Sequence, residues 1–170
     1  MIRNLFIQAI IVVLVFQLLS YFRELSMLPT DIQVTNAINL LQKKINYDKV
    51  PTLLGNTISL TEFDKTTIVY FFAPWCQICH ASIGNLQIRY QQDPSLNVIA
   101  VALDFTDTNE VLAFTKQHQL TFPIALGNEE IKQSFEITGY PSYYVISEEN
   151  MIVSKSLGYS SELGLYFRSL

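Results

Sequence analysis

From Leu5 to Leu19 almost every position is apolar, Leu-Phe-Ile-Gln-Ala-Ile-Ile-Val-Val-Leu-Val-Phe-Gln-Leu-Leu, and no charge falls between Arg3 and Arg23. A helix that is apolar all round has no solvent face, so it belongs in a core or a bilayer. Asn4 to Phe22 makes a helix about 28 Å long, close to the ~30 Å of bilayer hydrocarbon. Farther along, two shorter apolar runs appear, Thr67-Ile68-Val69-Tyr70-Phe71-Phe72-Ala73 and Asn97-Val98-Ile99-Ala100-Val101-Ala102-Leu103. They are rich in β-branched and aromatic residues and lack the alternation of a half-exposed strand, so they read as strands buried on both faces.

Helical spacing fills the intervals. Cys79, Ile83, Leu86 and Tyr90 share one face of a helix from Cys76 to about Gln91, with Asp93-Pro94 beyond its end. Asp107 or Thr108 caps a helix through about Gln117, with Val111, Leu112 and Phe114 turned inward. Phe122 to Leu126 is extended, and Glu129 to Phe135 is a short helix. Ser142–Ser147 and Met151–Leu157 form a hairpin around Glu148-Glu149-Asn150, and a closing helix runs from Ser160 or Ser161 to Arg168. Upstream, Thr52 to Leu60 suggests two short strands around Gly55-Asn56, and Thr61 to Lys65 a turn of helix. Pro29-Thr30-Asp31 is a helix-start signal ahead of Ile32, Val34, Ala37, Ile38, Leu41 and Ile45. The expected organisation is an N-terminal anchor over 1–26, a juxtamembrane linker or helix over 27–50, and an α/β domain over 51–170. Alternating strands and helices with a terminal hairpin predict three layers around a central sheet of mixed direction.

Charge refines this picture. Leu19-Ser20-Tyr21-Phe22-Arg23 offers no small-residue cleavage site, which favours an uncleaved transmembrane helix over a signal peptide. Arg3 and the α-amine precede the span while Glu24 offsets Arg23, so the positive-inside rule puts the N-terminus in the cytoplasm and the domain outside, in the periplasm or its equivalent. Beyond Arg23, nine basic residues face fifteen acidic ones with no basic block. Nucleic acid is not an expected partner.

The chain has two cysteines, and both sit in Trp75-Cys76-Gln77-Ile78-Cys79-His80, directly after the first buried strand. A C-x-x-C there places two thiols at a helix N-terminus, where unpaired N–H groups and the helix dipole favour thiolate. Cys76, at the first helical position, is expected to be the exposed attacking thiol, and Cys79, one turn deeper, the buried resolving thiol. Other readings exist. Cys-Gln-Ile-Cys-His also matches the C-x-x-C-H haem-attachment pattern, which makes a haem- or metal-carrying anchored domain the alternative. It would need a free His80 and a distal ligand from Met27, Met151 or His118. Zinc would require all four Cys and His, with His118 expected to lie far off on a helix surface. A purely structural disulfide closes too small a loop to stabilise much.

Trp75-Cys76-Gln77-Ile78-Cys79, after Phe72-Ala73-Pro74, resembles the active site of the thioredoxin superfamily. Phe135-Glu136-Ile137-Thr138-Gly139-Tyr140-Pro141-Ser142 is similar to the segment that carries its cis-proline. The insertion between them resembles the membrane-anchored TlpA-type thiol–disulfide oxidoreductases of the redoxin family. The resemblance implies a thioredoxin-like fold, catalysis by Cys76 and Cys79 without a cofactor, and a substrate groove supported by Trp75, Tyr140 and cis-Pro141. It implies protein thiols and disulfides as substrates and a membrane dithiol protein as electron partner, while the apolar span itself points to contact with inner-membrane lipid through residues 4–22. Two departures stand out. Tyr70 occupies the place of thioredoxin's buried carboxylate, and Ser82 that of a glutamate kept by several anchored reductases. No acidic proton relay is therefore assigned, and His80 is expected to be an exposed first-turn residue.

Overall fold

The computed structural model describes residues 2–35, 47–61 and 63–169. Helix α1 (Ile2–Glu24) opens the chain. Strand β1 (Ile32–Gln33), a 3-10 turn at Tyr47–Lys49, and the short strands β2 (Val50–Pro51) and β3 (Thr57–Ile58) follow. Then come β4 (Thr67–Phe72), α2 (Gln77–Gln92), β5 (Asn97–Ala102), α3 (Thr108–Gln117) and β6 (Ile124–Leu126). The chain closes with α4 (Glu129–Ser134), β7 (Ser142–Ile146), β8 (Met151–Leu157) and α5 (Glu162–Arg168).

Six strands form one sheet in the order β1-β8-β7-β4-β5-β6. Strands β4, β5 and β6 are parallel, joined by α2 and α3, whereas β7 and β8 return antiparallel as a hairpin. The alternation of side chains along β4 divides the interior. Ile68, Tyr70 and Phe72 face a cluster with Ile83 and Leu86 of α2, Val111 and Phe114 of α3, and Leu165 of α5. Val69 and Phe71 face the opposite cluster with Ile131 and Phe135. Both faces of β4 are thus covered, which is why its sequence shows no polar alternation. Gln87, buried on α2, is satisfied by Thr121: its amide donates to Thr121 Oγ1 at 2.8 Å and accepts from Thr121 N at 2.9 Å. This pair fixes the approach to β6.

The upstream segment departs from expectation. Pro29-Thr30-Asp31 starts a strand rather than a helix, because Ile32 pairs with Ile152 and Gln33 with Met151 along the edge of β8. Asp31 takes the left-handed conformation (φ 63°), which turns the chain into that pairing. A helical turn begins only at Val34, and the rest of the expected helix, residues 36–46, lies outside the described residues. Met27, Leu28 and Val34 are buried in the same cluster as Phe71 and Phe135. Thr61, Asp64 and Lys65 form bends and Phe63 is irregular, with no turn of helix among them.

Helix α1 exposes every side chain from Phe6 to Leu19. Among the described residues no helix is long and apolar enough to cross a membrane.

Tyr144 joins the upstream segment to the domain. Its hydroxyl accepts from Leu28 N at 3.0 Å and donates to Phe135 O at 2.7 Å. Tyr144→Phe leaves both buried backbone groups without this partner, so it is expected to cost about 1–3 kcal/mol. Urea unfolding of the full chain in detergent measures this, and an unchanged midpoint would contradict the bridging role.

Candidate active site

Strand β4 ends at Phe72, and Ala73-Pro74-Trp75 carry the chain over the sheet edge to Cys76, the N-cap of α2. Cys76 has extended dihedrals (φ −77°, ψ 111°), and its Sγ accepts a hydrogen bond from Cys79 N at 3.1 Å. A sulfur thus takes the place of the usual cap oxygen, at the positive end of a helix 16 residues long. The two cysteines are paired, with Cα atoms 5.2 Å apart. Cys76 is the cap rather than the first helical residue, and at 6% exposure it is buried rather than exposed, although Cys79 lies deeper at 0%.

Cys76 opens onto a cleft of about 600 Å³. Trp75, Gln77 and Ile78 line one side, and Asp104, Lys132, Thr138, Gly139 and Tyr140 the other. Trp75 is 60% exposed and meets the Tyr140 ring edge-on, with centroids 5.9 Å apart. The Tyr140–Pro141 peptide bond is cis. Of the five site residues expected from sequence, Cys76, Trp75 and Tyr140 meet at this cleft. Cys79 and Pro141 are buried and are not among its lining residues.

The two departures from the family pattern turn out to be one contact. Tyr70 Oη and Ser82 Oγ are 2.8 Å apart, buried between β4 and α2. Burial pushes the Tyr70 phenol well above its ordinary range, with Ser82 only partly opposing it. Tyr70 therefore stays protonated and supplies no base at neutral pH. A neutral hydroxyl pair fills the ground beneath the dithiol, where a carboxylate would introduce a charge needing solvation.

The histidines also depart from expectation. His118 lies not far off but against His80, with His80 Nδ1 and His118 Nε2 2.7 Å apart, although 38 residues separate them in sequence. His80 Nε2 is 2.9 Å from Pro74 O. A carbonyl only accepts, so Nε2 carries a hydrogen and donates it. Both imidazoles pack on Phe114, which itself stacks on Phe72 with centroids 4.6 Å apart. His80 is thus half-buried and engaged at both nitrogens, leaving none free for a haem iron. Among the described residues no group of three or more His, Cys, Asp or Glu could hold a metal ion.

Asp104, Lys132 and the histidine pair were missed in sequence. Asp104 directly follows a buried strand, and Lys132 is an ordinary charge in a short helix. Neither carries a local signal.

Burial, and secondarily the charge of His80, hold His118 below the ordinary histidine range. The unfolded chain therefore binds more protons than the folded one in the window beneath about pH 6.5. The contribution of His118 to stability is present above that value and is lost as pH falls through its lower folded value. The urea midpoint is expected to drop between about pH 7 and 5, and His118→Gln, which keeps a donor for His80, is expected to flatten that slope. Equal slopes for the two proteins would contradict the assignment.

The AhpC/TSA family model matches residues 41–155. The chain is 28% identical over 112 residues to sporulation thiol-disulfide oxidoreductase A of Bacillus subtilis (strain 168), covering 63% of this chain and 68% of that one. It is 30% identical over 101 residues to the thiol-disulfide oxidoreductase ResA of Oceanobacillus iheyensis, covering 57% of this chain and 52% of that one. The chain therefore spans about half to two thirds of the length of these relatives. The crystal structure of StoA from Bacillus subtilis superposes with a TM-score of 0.64 at 24% identity, covering 72% of this chain and 95% of that one, and shows the same thioredoxin-like fold. Family, relatives and fold agree on a thioredoxin-like thiol–disulfide oxidoreductase, and the chain belongs to the AhpC/TSA family.

Proposed function

We propose that this protein is a membrane-tethered thiol–disulfide oxidoreductase that acts outside the cytoplasmic membrane, exchanging disulfides with other proteins through Cys76 and Cys79. The observation that carries this reading is the capping bond. Cys76, the cysteine that lines the cleft, accepts Cys79 N–H on its Sγ at the start of α2. A thiolate formed there keeps that donor and the positive end of the helix, so its pKa falls below the ~8.5 of a free cysteine. In the reducing direction, Cys76 thiolate attacks one sulfur of a substrate disulfide, forming a mixed disulfide and releasing the other substrate sulfur as thiolate. Cys79, as thiolate, then attacks Cys76 Sγ, forms the intramolecular disulfide and expels the second substrate thiolate. Two electrons pass to the substrate, and the reverse sequence oxidises a dithiol. No cofactor takes part. Trp75 and Tyr140 flank the point of attack, and the cis-Pro141 turn sets Tyr140 there.

The tether rests on the apolar run from Asn4 to Phe22, on the helical backbone of α1 and on the charges around it. Ser26 Oγ, just beyond α1, lies 3.2 Å from Thr138 Oγ1 on the lip of the cleft. The end of the anchor thus adjoins the cleft that Cys76 lines, which supports a membrane dithiol protein as electron partner.

Cys79→Ala in the full chain is expected to accumulate mixed disulfides on Cys76 in cells, and Cys76→Ala to accumulate none. Non-reducing electrophoresis with and without dithiothreitol reads the result. Failure of the first variant to capture any protein would overturn the enzymatic reading. In the reduced protein, Cys76 is expected to alkylate with a midpoint below pH 8.5. The potential against a glutathione buffer then assigns direction, reductant near about −270 mV and oxidant near about −120 mV.

A further inference from the structure

Asp104 joins the two sides of the cleft. Its backbone is left-handed (φ 49°), a conformation that Asp and Asn tolerate better than most residues. From there its carbonyl accepts from Trp75 Nε1 at 2.9 Å. Its Oδ2 accepts from the Tyr140 hydroxyl at 2.9 Å and from Lys132 Nζ at 2.6 Å. Lys132 Nζ also lies 5.8 Å from the centre of the Tyr140 ring. One residue therefore holds both aromatic walls beside Cys76 and cancels the one cationic side chain lining the cleft among the described residues. Burial, then the adjoining Asp104 carboxylate, raise the Tyr140 phenol above its ordinary range, so its hydrogen stays on the bond to Asp104.

We propose that Asp104 is a positioning and specificity residue: it sets Trp75 and Tyr140 as the walls of the groove and neutralises Lys132, so that the groove selects an extended peptide segment without charge beside the substrate cysteine. The inference rests on the oxidoreductase reading above and deepens it by naming the substrate class. With the ion pair intact, the surfaces offered to a peptide are aromatic and aliphatic, from Trp75, Tyr140 and Ile78, and the neutral polar groups of Gln77 and Thr138. A peptide carboxylate or ammonium entering there loses water and gains no unpaired opposite charge.

The ion pair lends itself to a charge cycle. Asp104→Asn keeps a carbonyl to accept from Tyr140 and tolerates the left-handed backbone, but leaves Lys132 unpaired. Lys132→Gln leaves Asp104 unpaired. The double variant restores neutrality. Full-length protein in detergent is assayed by kcat/KM for reduction of three peptide disulfides that differ only in Asp, Ser or Lys beside the cysteine. The wild type is expected to favour the Ser peptide. Both side chains are about a third exposed or less, so each single substitution shifts the Asp-to-Lys peptide ratio about two- to fivefold. Asp104→Asn favours the acidic peptide, Lys132→Gln the basic one, and the double variant returns to the wild-type ratio.

Trp75 is the only tryptophan in the chain, so its emission reports the groove wall directly without substrate. Tyr140→Phe, which loses its bond to Asp104, is expected to shift that emission, and circular dichroism confirms folding. A uniform loss across all three peptides, or unchanged ratios in both single variants, would overturn the proposal. A wild type that reduces none of the three peptides would instead overturn the oxidoreductase reading on which it rests.

Discussion

A single hydrogen bond organises this molecule, the one from Cys79 N to Cys76 Sγ. For that bond to exist, the chain must leave a strand and enter a helix within a few residues, and the helix must begin on a sulfur. The strand has to be fixed before its end can aim anything, and β4 is fixed on both faces and along both edges, by β5 and by β7. The parallel neighbour demands a crossover, and α2 supplies it. The sheet thus makes a helix N-terminus available just where the cleft opens.

Around that point the structure keeps charge away from the sulfurs and places it at the rim. Tyr70 and Ser82 are neutral and satisfy each other beneath the dithiol. The histidines pair over Phe114 on one flank. Asp104 and Lys132 pair on the wall of the cleft on the other. Among the described residues no carboxylate is buried, so on the reading proposed above the dithiol would exchange protons with solvent or with its substrate. On that reading the reactive sulfur owes its character to backbone N–H groups and the helix end.

Much of this was legible in the sequence, since it is local. The β4 run, the C-x-x-C at its end and the caps Asp107 and Ser161 lie within a few residues of what they control. The hairpin around Asn150 declared itself in the same way, through a residue that accepts a left-handed turn (φ 61°). What stayed hidden depends on distant partners. Ile32 and Gln33 are strand only because β8 offers an edge more than a hundred residues later, and Pro29-Thr30-Asp31 looked locally like a helix start. His80 and His118 meet only after α3 packs on α2, and Asp104 becomes a junction only once α4 and the Tyr140 loop arrive. The burial of Cys76 belongs with these, because covering the cap residue requires its neighbours to be folded.

The stitching of residues 27–34 into the sheet has a mechanical corollary. Between the last residue of α1, Glu24, and the buried Met27 only Leu25 and Ser26 intervene, and beyond them Leu28 N is held by Tyr144. On the reading proposed above, in which α1 is the tether, there is almost no slack with which the domain could swing about it. On that reading reach is traded for constancy of height and bearing, and a cognate protein would bring its own cysteines to a nearly stationary port.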